Sequence, residues 1–416
     1  MTTKYIFACA LIILVSCTNK EKNNSSSTNT SLSVIDIEWG MKNLTKLNIS
    51  DFGKTIRYVP LETTDDCLIG KNPIVKVLKN YIVVETDTRC LLFDKKDGSF
   101  ISAIGHPGQD PEAYRGNFSY VDDKEDYLYF SANPDKLVKY DMKGNFAGSI
   151  EFSKMPERES TILLTSSEII RYYNEYNISS VYYLAFFDKK GGVIDTIPLS
   201  LAKKEGMNSG VLYGKNISGR SVYGNMIRIN AIIIAYENEK KEIITPHNGI
   251  TNLWNSNGVI RFKEDFIDTI FTISGRELIP SIIFNTGKWH WPVKEKKNMD
   301  FDRIYISDIL ENNTFLFFQC IRGLYIDEPE LYNGLYNKKT GETKLSKNSE
   351  AIKDDLIDFM PFNPFEMSTS GEFVSFIDAF VIKEWAEKHP ETKNNEKLSF
   401  LKDLNDDMNP VIVLVE

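Results

Sequence analysis

Histidine is scarce in this chain. Only four occur in 416 residues, His106, His247, His290 and His389, and no two sit at the spacing of a helical or finger-type metal site. No metal is therefore expected. A phosphate-binding loop, a dinucleotide fingerprint and a Gly-x-Ser-x-Gly elbow are also missing, so no cofactor is expected and the simplest route to a serine hydrolase is closed. Acidic pairs and runs occur at Asp122-Asp123-Lys124-Glu125-Asp126, Asp354-Asp355 and Asp406-Asp407, but without the alternating ligands of a calcium loop, and they read as solvated turns. Positive charge is in deficit: 49 Lys and Arg against 58 Asp and Glu, interspersed, with a net charge of −9. That excludes a nucleic-acid footprint and leaves no basic face for anionic lipid. Cysteine numbers five, with Cys9 and Cys17 near the N-terminus, so Cys67, Cys90 and Cys320 remain for the body of the chain. An oxidising compartment would permit a bond between Cys67 and Cys90, which sequence alone does not establish.

The N-terminus is informative. Lys4 precedes an apolar run from Ile6 to Val15, followed by Leu14-Val15-Ser16-Cys17 and then by polar chain. A run of ten residues is too short to span a bilayer as a helix, and the layout is that of a secretory signal. Its last four residues resemble the bacterial lipobox, which implies cleavage before Cys17 and acylation of its thiol. Several acyl chains hold a protein on a membrane where one is marginal. From Thr18 to Ser31 the sequence has no large apolar residue and reads as a flexible tether with an end-to-end distance of roughly 20 Å. The expected organisation is a signal peptide over 1–16, a lipidated cysteine and tether over 17–31, and one globular domain over 32–416. Thr18, where inner-membrane retention uses aspartate, favours the outer membrane by resemblance; which membrane face is left open.

The globular part, 42% apolar and 12% aromatic over the whole chain, repeats. Phe93-Asp94-Lys95-Lys96-Asp97-Gly98, Tyr140-Asp141-Met142-Lys143-Gly144 and Phe187-Asp188-Lys189-Lys190-Gly191-Gly192 place their first aspartates 47 residues apart. Each follows an aromatic and β-branched run, as expected of hairpins in which Asp caps the turn and Gly supplies positive φ. Degenerate copies follow at Tyr236-Glu237-Asn238-Glu239-Lys240, at Asp268 to Phe284 and at Leu335 to Glu342, making six units. Short strands at this period predict a six-bladed, all-β propeller of four-stranded antiparallel blades. Strands at Thr55 to Leu61 and Val411 to Val415 are suited to closing the ring, and Ile377 to Glu387 reads as a short amphipathic helix inserted near the end.

Tyr58-Val59-Pro60-Leu61-Glu62-Thr63-Thr64, Ile104 to Tyr114, Asp268-Thr269-Ile270-Phe271 and Asn409-Pro410-Val411-Ile412-Val413-Leu414, in this order, resemble a large family of bacterial lipoproteins with an NHL-like six-bladed propeller, largely uncharacterised in function. Asp110 departs from the usual Gly-Gln-Gly-Pro pattern, and Met408 stands where aspartate is common. The resemblance implies architecture and an envelope location, but no reaction.

Two segments are candidates for a site. The Gly105 to Phe118 connection carries His106, Glu112, Tyr114 and Arg115, which could bond and stack against a polar ligand such as a glycan. Its plainer reading is a rigid crossover whose polar groups satisfy neighbouring loops. Trp289 and Trp291, flanking His290, could form a sugar-stacking platform or pack in the core. The expected role is a membrane-tethered module in the envelope that binds or scaffolds a glycan, a peptide or a partner protein. The alternative is a lyase or hydrolase acting at the channel mouth.

Overall fold

The computed structural model describes residues 32–416 apart from 71–72, 116–117, 154–158, 174–181, 200–210, 220–226, 238–242, 248–252, 265, 293–301 and 325–328. The signal segment, Cys17 and the tether lie outside the described residues.

The chain begins with β1 (Ser33–Asp36), helix α1 (Ile37–Lys42) and β2 (Ile56–Pro60), and then lays down its blades in order. Blade 1 is β3 (Ile74–Val77), β4 (Tyr81–Glu85), β5 (Cys90–Asp94) and β6 (Phe100–Ala103). Blade 2 is β7 (Ser119–Val121), β8 (Tyr127–Asn133), β9 (Lys136–Asp141) and β10 (Phe146–Glu151). Blade 3 is β11 (Glu159–Leu164), β12 (Ile169–Tyr173), β13 (Tyr182–Phe187) and β14 (Val193–Leu199). A separate three-stranded sheet follows, β15 (Val211–Gly219), β16 (Ile227–Glu237) and β17 (Ile243–His247). Blade 4 is β18 (Leu253–Ser256), β19 (Val259–Lys263), β20 (Thr269–Ser274) and β21 (Glu277–Asn285), to which β1 adds a fifth, parallel strand. Blade 5 is β22 (Ile304–Glu311), β23 (Phe315–Arg322), β24 (Glu330–Asn337) and β25 (Thr343–Lys347). Blade 6 takes β26 (Glu366–Met367), β27 (Phe373–Ile377) and β28 (Val411–Val415) from the C-terminus and β2 from the N-terminus. The result is a six-bladed propeller.

The strands are apolar on both faces because each blade is sandwiched between two others. All eight residues of β22 and all five of β28 are buried. The core is accordingly divided into separate apolar layers, one between each neighbouring pair of blades. Val83, Leu92, Leu128 and Phe130 fill the layer between blades 1 and 2; Leu184, Phe186, Phe262 and Ile273 fill that between blades 3 and 4; Phe317, Leu335, Phe373 and Val413 fill that between blades 5 and 6. Burying one such side chain contributes about 1.5 to 3 kcal/mol. The three cysteines are free and buried, and they fall in different layers.

The period of 47 has a physical cause in the third-to-fourth-strand turns. Asp141 Oδ1 accepts from the amides of Lys143 and Asn145, both at 2.9 Å, and Asp188 Oδ1 from Lys190 and Gly192 at 2.8 and 2.9 Å. Gly98, Gly144 and Gly191 have φ of 78°, 85° and 89°. They also lie against the preceding blade: a Cβ would meet the carbonyl oxygens of Pro60, Ala103 and Glu151 at 2.0, 2.4 and 2.0 Å. Each turn therefore needs glycine twice over, for its dihedral and for its neighbour.

One unit read from the sequence falls elsewhere. Tyr236 and Glu237 end β16 in the three-stranded sheet, which is not a blade; the fourth blade starts at Leu253. The remaining turn of that degenerate copy lies partly outside the described residues. It lacks both the capping Asp and the turn Gly. The missing blade is the closing one, and its key is Asn409. This buried amide accepts from Ile69 N at 2.8 Å and donates to the carbonyls of Glu62 at 2.5 Å and Cys67 at 2.9 Å, and its own backbone N–H donates to Thr63 Oγ1 at 2.8 Å. Two of the segments that carry the family resemblance, Tyr58 to Thr64 and Asn409 to Leu414, are thus clasped together where the ring closes. Helix α2 (Ala379–Lys388) sits in the long connection between β27 and β28.

Candidate functional site

Alternation of strand direction gives the disc two unlike faces. First-to-second and third-to-fourth strand turns emerge on one, the turn face. Crossovers between blades and second-to-third strand connections emerge on the other, the crossover face.

The turn face is stitched by charge. In blades 1, 3 and 5 the residue after the turn Asp or Asn reaches inward: Lys95 Nζ pairs with Glu372 of blade 6 at 2.5 Å, Lys189 with Asp122 of blade 2 at 3.4 Å, and Lys338 with Glu311 at 2.6 Å. Arg276 of blade 4 holds Glu168 of blade 3 at 2.7 Å. Glu311, whose side chain is fully buried, also takes Arg261 at 3.2 Å and Trp254 Nε1 at 2.8 Å from blade 4. Apart from Lys338–Glu311, which lies within blade 5, these are inter-blade staples, and their partners leave little free valence.

The crossover face carries the long connections and both sequence candidates. In the 104–118 crossover, Asp110 is the organising residue. Its Oδ1 accepts from the amides of Glu112 and Ala113, both at 3.1 Å, and its Oδ2 meets His106 Nε2 at 2.8 Å. The hydrogen bond from His106 holds the Asp110 carboxyl below the usual carboxylate range. Asp110 thus builds its own loop. Tyr114 is 2% exposed and stacks on Phe130 with ring centroids 4.4 Å apart. Burial raises its phenol well above the ordinary value. The Tyr140 hydroxyl donates to the Glu112 carbonyl, and Arg115 N–H to the Ser131 carbonyl at 2.8 Å. Backbone is fastened inward while the side chains of His106, Glu112 and Arg115 face solvent. Phe118, not singled out in the sequence, is 57% exposed at the end of this loop.

In the second segment the indoles turn inward. Trp289, 5% exposed, packs with Ile35, Ile37 and Phe284, and Trp291, 2% exposed, meets the Phe266 ring edge-on at 5.1 Å. Lys288 and Arg322 lie over the Trp289 ring at 4.6 and 5.6 Å. The group presented to solvent is His290, whose Nδ1 lies 2.8 Å from Asp268 Oδ2, an oxygen that also accepts from Thr286. The two candidate segments share a face but lie on different blades, 1 and 4.

A further polar cluster went unread in the sequence. Glu85, 2% exposed at the end of β4, accepts from Lys76 Nζ at 2.8 Å and from Ser119 N at 2.7 Å, and also from the Ser119 hydroxyl. It ties blade 1 to blade 2 on the crossover side. The neighbouring Cys90 thiol is pushed up mainly by burial and further by the Glu85 charge. Its only sequence signal is one Lys and one Glu interrupting the apolar strands Ile74–Val77 and Tyr81–Glu85. Among the described residues no three His, Cys, Asp or Glu are grouped so as to hold a metal ion, and no helix is long and apolar enough to cross a membrane.

The fold is shared with a solved structure. A crystal structure from Bacteroides fragilis, titled "Putative exported protein", superposes with a TM-score of 0.59 at 17% identity, covering 93% of this chain and 99% of that one. The WD40 repeats of RRP9 give a TM-score of 0.39 at 8% identity, covering 87% of this chain and 99% of theirs. The Dos1 propeller gives 0.34 at 11% identity, covering 76% and 92%. No curated protein matches the chain. A family model described as a domain of unknown function, DUF4934, matches residues 32–416, the whole of the propeller, and the chain belongs to that family.

Proposed function

We propose that this protein is an exported lipoprotein, anchored through Cys17 in the outer membrane, whose propeller binds or scaffolds a glycan, a peptide or another envelope protein on its crossover face. The observation that carries the binding reading is the contrast between the faces. Turn-face polar groups are spent on stapling blades, whereas the crossover loops fasten their backbones inward and hold His106, Glu112, Arg115 and His290 outward. Preorganised polar side chains on rigid loops are what a binding surface requires. The signal-like N-terminus supports export, and the exported title of the Bacteroides fragilis neighbour is in keeping with it.

Two measurements test this. Cys17→Ser is expected to release the chain from membranes and abolish lipid labelling; retention without lipid would overturn the anchor. Full-length chain in detergent micelles is expected to bind a member of a glycan and peptide panel or to capture an envelope partner, and Arg115→Ala is expected to weaken that binding. Failure of all three screens would remove the basis of the binding reading.

A further inference from the structure

Blade 5 carries a cleft of about 350 Å³ on the crossover face, lined by Pro329, Glu330, Leu331, Tyr332, Lys347, Asn348 and Ser349. That is the small end of the range for ligand sites. It opens where β24 begins and β25 ends, at the rim of the disc.

The walls are held in place from behind. Arg322 Nε bonds Asp302 at 2.5 Å, and its NH1 bonds Glu330 Oε2 at 3.0 Å, the same oxygen that accepts from the Tyr332 hydroxyl at 2.8 Å. The guanidinium lies over Trp289, so the buried indole anchors this wall. Asn348, 4% exposed, donates its amide nitrogen to Asn333 Oδ1 at 3.0 Å and its backbone N–H to the Leu331 carbonyl at 2.8 Å. With its nitrogen committed inward, its carbonyl oxygen is left for the cleft.

Behind the floor runs a second feature, independent of the first. Ser346, Asn333 and Gln319 are register partners across β25, β24 and β23, and Ser307 lies at the bulge of β22 beside them. Ser346 Oγ, Asn333 Nδ2, Gln319 Oε1 and Ser307 Oγ are all buried and have no hydrogen-bond partner within the protein. A buried polar atom left unsatisfied costs about 1 to 3 kcal/mol, and native proteins fill such rows with ordered water. This row lies behind Asn348, whose amide nitrogen bonds Asn333, so hydrogen-bonding groups back the cleft across an otherwise apolar blade.

We infer that the blade 5 cleft binds one residue of a neutral glycan. Among the described residues Asp302 and Glu330 are matched by Arg322 and Lys347, so these groups bring no net charge to select an ionic ligand. What it offers is a carboxylate, an ammonium, a phenol, a primary amide and a hydroxyl around one small volume. Sugar hydroxyls, each both donor and acceptor, use such a mixed set. The inference rests on the proposed binding role and adds to it one ligand class and a subsite on blade 5, apart from the blade 1 loop that carries Arg115.

The test is a panel of neutral oligosaccharides, uronate-containing oligosaccharides and short peptides against full-length chain in micelles, followed by titration of the hits. Lys347→Ala and the cleft-filling Ser349→Trp, both at exposed positions, are expected to weaken neutral-glycan binding at least tenfold. Their melting temperatures should stay close to that of the parent, and Lys190→Ala on the turn face should bind as the parent does. Binding of peptides or uronates alone would overturn the inference and leave the binding role standing. So would neutral-glycan binding that the cleft variants do not change but Arg115→Ala abolishes. Absence of any ligand or partner would overturn both.

Discussion

The two faces of the disc follow different rules. On the turn face three hairpins repeat one solution, an Asp-capped turn and a glycine pressed on the preceding blade, and in two of them a lysine also clasps that blade. On the crossover face the described connections differ: a loop built on Asp110, a short helical turn that buries Trp289 just before Trp291, an inserted three-stranded sheet, and the stretch containing α2. Contacts that close a ring have one good geometry and are repeated, whereas segments free of that duty are free to diverge. A ligand surface belongs with the second kind.

The sharpest way to break this contrast is a glycine. Gly98→Ala sets a Cβ 2.0 Å from the Pro60 carbonyl at φ of 78°, and is expected to cost about 4 kcal/mol in denaturant unfolding. Gly341→Ala has positive φ but no atom within 4 Å, and should cost about 1 kcal/mol. Equal losses would mean that the neighbouring blade contributes nothing. Next comes Lys95→Met, which strands Glu372 with both side chains largely buried, at 8% and 13% exposure; about 3 kcal/mol is expected. Its counterpart Lys189→Met, 32% exposed, should cost about 1 kcal/mol or less, and Met142 already occupies this position in blade 2.

Asn409→Ala probes the one place where the crossover face shares the duty of closure. Loss of its side-chain bonds should cost about 2 kcal/mol and should expose the strands of blade 6 first in hydrogen exchange. Arg115→Ala, on a surface loop, is expected to leave the unfolding midpoint within about 0.5 kcal/mol of the parent while changing ligand binding. The smallest effect concerns acid. The Asp141 carboxyl is held down first by its bond from Asn145 and that of Asp188 first by the Gly192 amide. A depressed folded-state value stabilises above the unfolded value and is lost as pH falls through the folded one. Stability should therefore decline below about pH 4, and Asp141→Asn should flatten that limb slightly in pH-dependent melting.

What could be read in advance follows from distance along the chain. Asp141, Asn145 and Gly144 complete their business within five residues, so the turn and its period are written locally. The two strands that close the ring were recognisable by composition, but their clasp joins Asn409 to residues more than 300 positions away and leaves no local signature. The same limit governed the candidate site. His106, Glu112 and Arg115 were placed on an outward loop by its composition, while the burial of Tyr114, Trp289 and Trp291 depended on Phe130, Ile35 and Phe266 supplied from elsewhere. An aromatic residue beside a polar one looks alike in sequence whether it lines a platform or fills a core.

By itself, then, the sequence determined turn chemistry, strand character and repeat length, because each rests on dihedral preference and hydrogen bonds among near neighbours. Only the tertiary structure decided which unit is a blade and which an insertion, which lysine is a staple, and which indole backs Arg322 behind the blade 5 cleft. Those outcomes depend on which surfaces exclude water from one another, and that is a property of the closed ring.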